Sequence, residues 1–235
     1  MKAAIIQSSY IPWKGYFDLI KSADVFVIYD VVQFTKNDWR NRNKVITNRR
    51  PSWLTIPVRH SSLEQRINET TVADPRWANK HWKTIAQSYC SSPGFKLYSD
   101  QLESLYKELS NERRLTYINE TLLRWVFSVL DINTRIVRAE QFDLPNDRME
   151  NLIYICKELG ADEYISGPSA QAYFNQELFE SSGLRLSWFE YGDYPTYSQK
   201  SDVFEHHVSI LDLLFMTGTS AKSLFVGSST KADMG

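Results

Sequence analysis

Cysteine is scarce in this chain: Cys90 and Cys156 are the only two among 235 residues. Two thiols so far apart in sequence cannot build a metal knuckle or the disulfide framework of a small secreted domain, and both are expected to be free. Excess charge is also missing. With 27 Lys and Arg against 28 Asp and Glu, the net charge is −1, which gives no global field to draw in nucleic acid or an anionic membrane. Long apolar runs are absent too. The opening run at residues 3–6 stops at Gln7, too short for the core of a signal peptide, and no later stretch approaches a spanning helix. A cytoplasmic location without a membrane span is expected, so the sequons at Asn68 and Asn119 carry no meaning. Nine Gly and eight Pro exclude collagen, and 43% hydrophobic residues exclude disorder. No repeat or heptad seam points to a solenoid or coiled coil.

What is present reads as an α/β protein with a mixed or parallel sheet. Residues 3–6 form a short apolar strand, and Ser8, Ser9 and Pro12 mark a turn. Residues 16–23 have helical spacing, and residues 24–30 form a second buried strand, so the chain opens with a β-α-β unit. A polar, basic stretch over residues 36–50 leads to a strand at 53–58, whose Pro57 suggests an edge or an end. Asp74 and Pro75 are expected to start a helix running to residue 89. Further helices are expected at 98–109 and 115–130, so residues 74–130 form a helix-rich central block, a cap within a single domain of residues 1–225. Strands at 134–138, 163–166 and 184–189 and a helix at 148–159, stopped by Gly160, restore the β-α-β pattern. An apolar helix over residues 203–216 closes the fold, and residues 226–235 are expected to be a flexible tail.

The densest polar cluster is Gln33, Lys36, Trp39, Arg40, Asn41, Arg42 and Lys44, just beyond Asp30 at a strand end. Arginine grips phosphate oxygens through two bonds, asparagine serves hydroxyls, and an indole offers a face to a base or sugar ring. That set suits a nucleotide diphosphate sugar, placed where ligands collect beyond the carboxyl ends of parallel strands. A solvated loop with surface ion pairs accounts for the same composition equally well. The first loop brings Gln7, Tyr10, Trp13, Lys14 and Tyr16 to a helix start, where a phosphate can meet the helix dipole or the aromatics can simply pack. It lacks both the P-loop pattern and the dinucleotide fingerprint. The turn Ser166, Gly167, Ser169 offers backbone amides to an oxyanion or phosphate, or is an ordinary Gly-Pro turn.

These strings together resemble the WbqC-like family of bacteria. The likeness rests on residues 7–20, on Ala23-Asp24, Tyr29-Asp30 and Gln33-Phe34, and on residues 38–44 and 53–58. It continues in residues 164–169 with Tyr173, in Tyr197 and Gln199, and in residues 209–215. It spans nearly the whole chain in order. The resemblance implies a role in making bacterial surface polysaccharide, the O-antigen of lipopolysaccharide, with modified amino sugars. The implied activity is an N-acyltransferase or amide-forming enzyme, which places an acyl or aminoacyl group such as glycine on the amine of a nucleotide-linked deoxyamino sugar. Residue types and spacing leave the donor open among an acyl-carrier thioester, a coenzyme A thioester, a charged tRNA and an amino acid activated by ATP.

Amide formation needs a base for the sugar amine and a donor for the oxyanion. His207 and Asp212 are candidates on the closing helix, with Asp212 favoured because it falls in the Ser-Ile-Leu-Asp string of the resemblance. His60 competes with His207, whereas His81 among Trp77, Trp82 and Ile85 is expected to be packed. A structural role for Asp212, paired in the interior, is the opposing expectation. No metal site is expected from the His and Cys spacing, and no cofactor is required, although ATP with magnesium fits Asp30 or Asp38. The first β-α-β unit also resembles, more faintly, the adenylate-forming nucleotidyl-transfer fold. That fold's His-x-Gly-His pattern is replaced here by Trp13-Lys14-Gly15-Tyr16. A non-catalytic nucleotide-sugar-binding accessory is the remaining alternative. Binding of DNA is disfavoured by the near-zero net charge.

Overall fold

A computed structural model of the chain describes residues 1–145 and 147–227, without the side chain of Tyr173. The chain opens with β1 (Lys2–Ile6), α1 (Lys14–Lys21) and β2 (Val25–Ile28). A hairpin follows, β3 (Arg42–Thr47) and β4 (Arg50–Thr55), and then a short pair, β5 (Val58–Arg59) and β6 (Thr71–Val72). Three helices come next: α2 (Trp77–Tyr89), α3 (Phe95–Leu109) and α4 (Leu115–Leu130). The second half returns to alternation, with β7 (Arg135–Arg138), α5 (Arg148–Leu159), β8 (Glu163–Ser166), α6 (Gln176–Ser181) and β9 (Arg185–Trp188). Two helices close it, α7 (Ile210–Thr217) and α8 (Ala221–Leu224).

Five strands make one parallel sheet in the order β7-β2-β1-β8-β9. Parallel strands are covered on both faces, and β2 accordingly has no polar residue and is buried throughout. The pleat sends Ala4, Phe26 and Ile28 into one core, with side chains from α1, α2, α3, α4 and α7. Ala3, Ile5, Val25 and Val27 point into the other, beneath α5 and α6. The central helices put Trp77, Ile85, Leu102, Tyr106 and Ile118 into the same core as Phe17 and Phe26.

This order fixes where a ligand can sit. From β1 the chain winds outward to β2 and β7, then returns to the other side of β1 with β8 and β9. The loops after β1 and β8 therefore leave in opposite directions, opening a crevice at their carboxyl ends.

Several expected elements differ. The segment around Trp53 does not join the main sheet; it pairs with β3, inside the stretch expected to be a polar loop. Asn43, Val45 and Ile46 are the buried positions that let so polar a sequence form a strand. Asp74 does not cap α2: the helix starts at Trp77, and Asp74 accepts the backbone N–H of Arg76. The closing helix does not begin at residue 203. It begins at Ile210, because Ser209 is extended and its hydroxyl caps the N–H of Leu211. His206 and His207 thus lie on a loop. Residues 228–235 of the expected tail lie outside the described residues, while the Gly227 N–H donates to Asp18.

Candidate functional site

The loop after β1 is held under strain. Ile11, a β-branched residue, has φ 36°, in the left-handed region that such side chains avoid. It is kept there from outside. The Asn43 amide donates to the carbonyls of both Tyr10 and Ile11, at 3.1 and 2.9 Å. The Tyr10 N–H reaches the Trp39 carbonyl, and the Ile210 N–H reaches that of Pro12. Such strain persists only where the surroundings over-determine it, and here several bonds do so at a sheet switch point.

Beneath this loop lies Asp30, at the end of β2 and 1% exposed. Ser8 gives it both backbone N–H and hydroxyl, each at 2.7 Å, and the Thr116 hydroxyl adds a third bond at 2.5 Å. Burial raises the Asp30 pKa, and these donors partly offset it. Arg40 donates to the Ser8 carbonyl at 3.0 Å, and Asn119 links the Ser8 hydroxyl to the Arg40 carbonyl.

A second buried polar centre surrounds Asp212 in the first turn of α7. It is fully buried and accepts from the Tyr89 hydroxyl at 2.8 Å and from Tyr197 and Gln199 at 2.6 Å each. Its pKa is raised by burial. Lys14, 3% exposed, opens α1, where the helix dipole disfavours a cation. Its ammonium donates to the Pro195 carbonyl at 3.3 Å and stands over the rings of Tyr194, Tyr197 and Phe204 at 5.3 to 5.4 Å. Burial lowers its pKa to about 8, with the field of Asp212 opposing.

Above these centres an exposed strip of rings crosses the carboxyl edge of the sheet. Trp39 and Trp53, 38% and 44% exposed, lie 5.3 Å apart. The Arg42 guanidinium covers the Trp53 ring at 4.2 Å, with the Lys44 ammonium 5.4 Å from the same ring. Lys44 reaches Glu205 at 3.9 Å, and Glu205 reaches the His207 ring at 3.6 Å. His207 packs on Trp13 at 4.8 Å, and Trp13 on Tyr191 at 5.1 Å. Gly15 permits this: a Cβ there would stand 2.3 Å from the Trp13 indole. Tyr191 borders Gly167, beyond the end of β8.

The residues singled out from sequence therefore separate. Trp13, Trp39, Arg42, Lys44 and His207 meet on the strip, and Gly167 marks its far end. Arg42 is also tied to Asn37, through the side-chain and backbone oxygens. Lys14, Asp30 and Asp212 lie beneath the strip as buried charges. Other candidates are used internally. Tyr10 is fully buried, bonded to His81 and Tyr106, and Tyr16 donates to the Gln7 carbonyl. Asn41 donates to the Ile56 carbonyl. Gln33 turns to the Leu63 carbonyl, and His60 packs on Phe34. Ser166 is buried, while Lys36 and Ser169 are exposed. The Tyr173 side chain lies outside the described residues. His81 is packed as expected, with Nε2 near the Thr55 carbonyl and a pKa lowered to about 4 by burial. Sequence reading missed Trp53, Glu205 and Tyr191 as site residues; the run of aromatics after β9 was the available signal for Tyr191. Among the described residues, no three His, Cys, Asp or Glu side chains gather as a metal site.

Comparison with known proteins agrees in extent with these landmarks. The profile of the WbqC-like protein family matches residues 7–224. An uncharacterized protein of Mycobacterium tuberculosis is 41% identical over 221 residues, which cover 94% of this chain and 95% of that one. No solved structure matches at a significant level.

Proposed function

The chain belongs to the WbqC-like protein family, and from that premise we propose that it binds a nucleotide-linked amino sugar along the aromatic strip and acylates the sugar amine. The observation that carries this reading is the strip itself. Solvent-facing rings alternate with Arg42 and Lys44, so sugar and base faces find stacking partners and phosphates find cations within one continuous surface. In this reading His207 is the base. It is exposed, packed on Trp13, with the carboxylate of Glu205 3.6 Å from its ring to orient it.

The amine nitrogen attacks the carbonyl carbon of an activated donor, a thioester or aminoacyl ester, while its proton passes to His207. A C–N bond forms. The C–S or C–O bond then breaks, and the leaving thiol or alcohol takes the proton back from the imidazolium. Asp212 is assigned a positioning role here. Its oxygens are occupied by three donors and sealed from solvent, so a substrate amine has no path to them. In this reading the chemistry serves bacterial surface-polysaccharide assembly, the role that the family resemblance implies.

The test is to incubate the purified protein with uridine and thymidine diphosphate amino sugars and each donor class in turn, and to read product mass. A product heavier by the acyl group supports transfer. Product formed only with free amino acid and ATP assigns the adenylate-forming reaction instead. Binding without product from any donor assigns an accessory binder.

A further inference from the structure

The net charge of −1 is unevenly placed. Of 28 Asp and Glu, none falls in the hairpin, residues 42–55, or in α2. The hairpin carries Arg42, Lys44, Arg49 and Arg50, and α2 carries Lys80 and Lys83. These two elements wall one cleft of about 640 Å³, bounded on a third side by residues 199–201. Among the described residues no carboxylate lines it. The lining is made of amides and hydroxyls, such as Asn48, Thr84, Gln87 and Ser88, with Arg49 and Lys200 as its cations.

The positive charge around the cleft is largely unanswered. Arg49 pairs with Asp202 at the rim. Lys200 donates to neutral oxygens, the Ser88 carbonyl at 2.8 Å and the Ser91 hydroxyl at 2.9 Å. Lys80 and Lys83 lie four residues before Thr84 and Gln87, which puts them on the cleft side of α2. Both are exposed, as is Arg50, and among the described residues none of the three forms an ion pair with a carboxylate. Asp74 lies within the field of Lys80 but is held by Arg76. Cations gathered in this way repel one another, and a polyanion relieves all of them together.

The cleft also adjoins the strip. Gln199, in its wall, donates to the Glu205 carbonyl at 3.2 Å and accepts the Glu205 N–H at 2.8 Å. Glu205 is the residue beside His207. Along β3, Ile46 of the cleft stands two residues, about 7 Å, from Lys44 of the strip.

We propose that the cleft and its cationic rim receive the single-stranded 3′ end of an RNA that carries the acyl group as a ribose ester. The donor role rests on the acyl transfer proposed above. The terminal base and ribose fill the cleft against its amides and hydroxyls, and the preceding phosphates lie on Arg50, Lys80 and Lys83. In the transfer the ester C–O bond breaks, and the ribose oxygen leaves with the proton from His207. The pyrophosphate of a coenzyme would engage one or two of these cations and leave the others unanswered. An acidic carrier protein would meet the rim but leave the cleft unfilled.

Fluorescence anisotropy on the full chain, with a labelled unstructured RNA oligonucleotide as probe, tests the surface. Three phosphate contacts predict a fall in affinity of about twentyfold between 50 and 200 mM salt. Lys80→Gln combined with Lys83→Gln should weaken binding about tenfold at the lower salt and reduce that fall to about threefold, with the melting temperature retained. Gln87→Trp, which fills the cleft without removing a charge, should weaken binding about tenfold. Lys157→Gln, on α5 across the sheet, should change nothing. Aminoacyl-tRNA supplied with the nucleotide-linked amino sugar should give the amide, and the double lysine variant should raise its KM while kcat holds. An oligonucleotide that fails to bind, binding insensitive to salt, or a double lysine variant that binds like the parent would overturn the proposal. Product from a coenzyme A or acyl-carrier thioester without RNA binding would overturn it too, and would leave the acyl transfer standing. RNA binding that the lysine variant loses, with no product from any donor, would support the surface and reject the acyl transfer.

Discussion

Ser8 clasps Asp30 with two bonds of equal length, its N–H on one carboxylate oxygen and its hydroxyl on the other, both at 2.7 Å. This clasp joins the ends of β1 and β2 and sets the floor on which the strained loop rests. Replacing Asp30 with Ala strands the Ser8 N–H and the Ser8 and Thr116 hydroxyls in the interior. The expected loss is about 3 kcal/mol of stability, read by urea denaturation. A loss below about 1 kcal/mol would show that the clasp is not structural.

Lys14 gives the chain an alkaline signature. Its pKa is about 8 in the folded protein against an ordinary 10.5. Between those values the unfolded chain holds the extra proton, so this group's contribution makes stability rise with pH across that window. Lys14→Met removes the titration, and other groups cancel in the comparison. The stability of the parent relative to Lys14→Met should therefore increase from pH 7.5 to pH 10; parallel denaturation curves at the two pH values would exclude it.

Arg40 and Arg42 are two residues apart but serve different ends. Arg42 lies over the Trp53 ring on the strip, and Arg42→Ala should weaken nucleotide-sugar binding by about 1.5–3 kcal/mol without changing the melting temperature. Arg40 supports the Ser8 carbonyl beside Asp30, so Arg40→Ala should cost about 1–2 kcal/mol of stability. Calorimetry and thermal melts on the pair decide this. Equal effects on both quantities in both variants would refute the division.

His207 and Asp212 separate in the same way. His207→Gln should lower turnover on the order of 10²–10⁴-fold while substrate affinity and melting temperature hold, the pattern of a lost base. Asp212→Asn keeps the shape but disturbs three donors, and should cost about 1–3 kcal/mol of stability. Unaltered turnover in His207→Gln would remove it from the reaction.

The opening β-α-β unit was legible because its apolar periods are clean and its connections short. The hairpin was not, because β3 reads as Arg-Asn-Lys-Val-Ile-Thr, and only the distant carbonyls of Tyr10 and Ile11 explain why Asn43 is inside. Apolar spacing at Phe204 and Val208 suggested a helix that the Ser209 cap begins later. Trp13, Trp39, Arg42, Lys44 and His207 were visible by type; their grouping with Trp53 and Glu205 was not. Trp13, Trp39, Trp53, Glu205 and His207 meet only because the hairpin and the loop before α7 converge on the first turn of the chain.

The central position of β1 also bears on synthesis at the ribosome. Its first partner, β2, follows about twenty residues later, but its other partner, β8, begins only at Glu163. At 5–20 residues per second, roughly 7–30 s pass between completion of β2 and the arrival of β8. During that interval the apolar edge Ala3-Ala4-Ile5-Ile6 has no native neighbour on one side, and such an edge is a template for pairing with another chain. A nascent-chain chaperone that shields this edge should raise the yield of folded protein, and moving residues 1–30 to follow β8 in a permuted chain should remove the need for it.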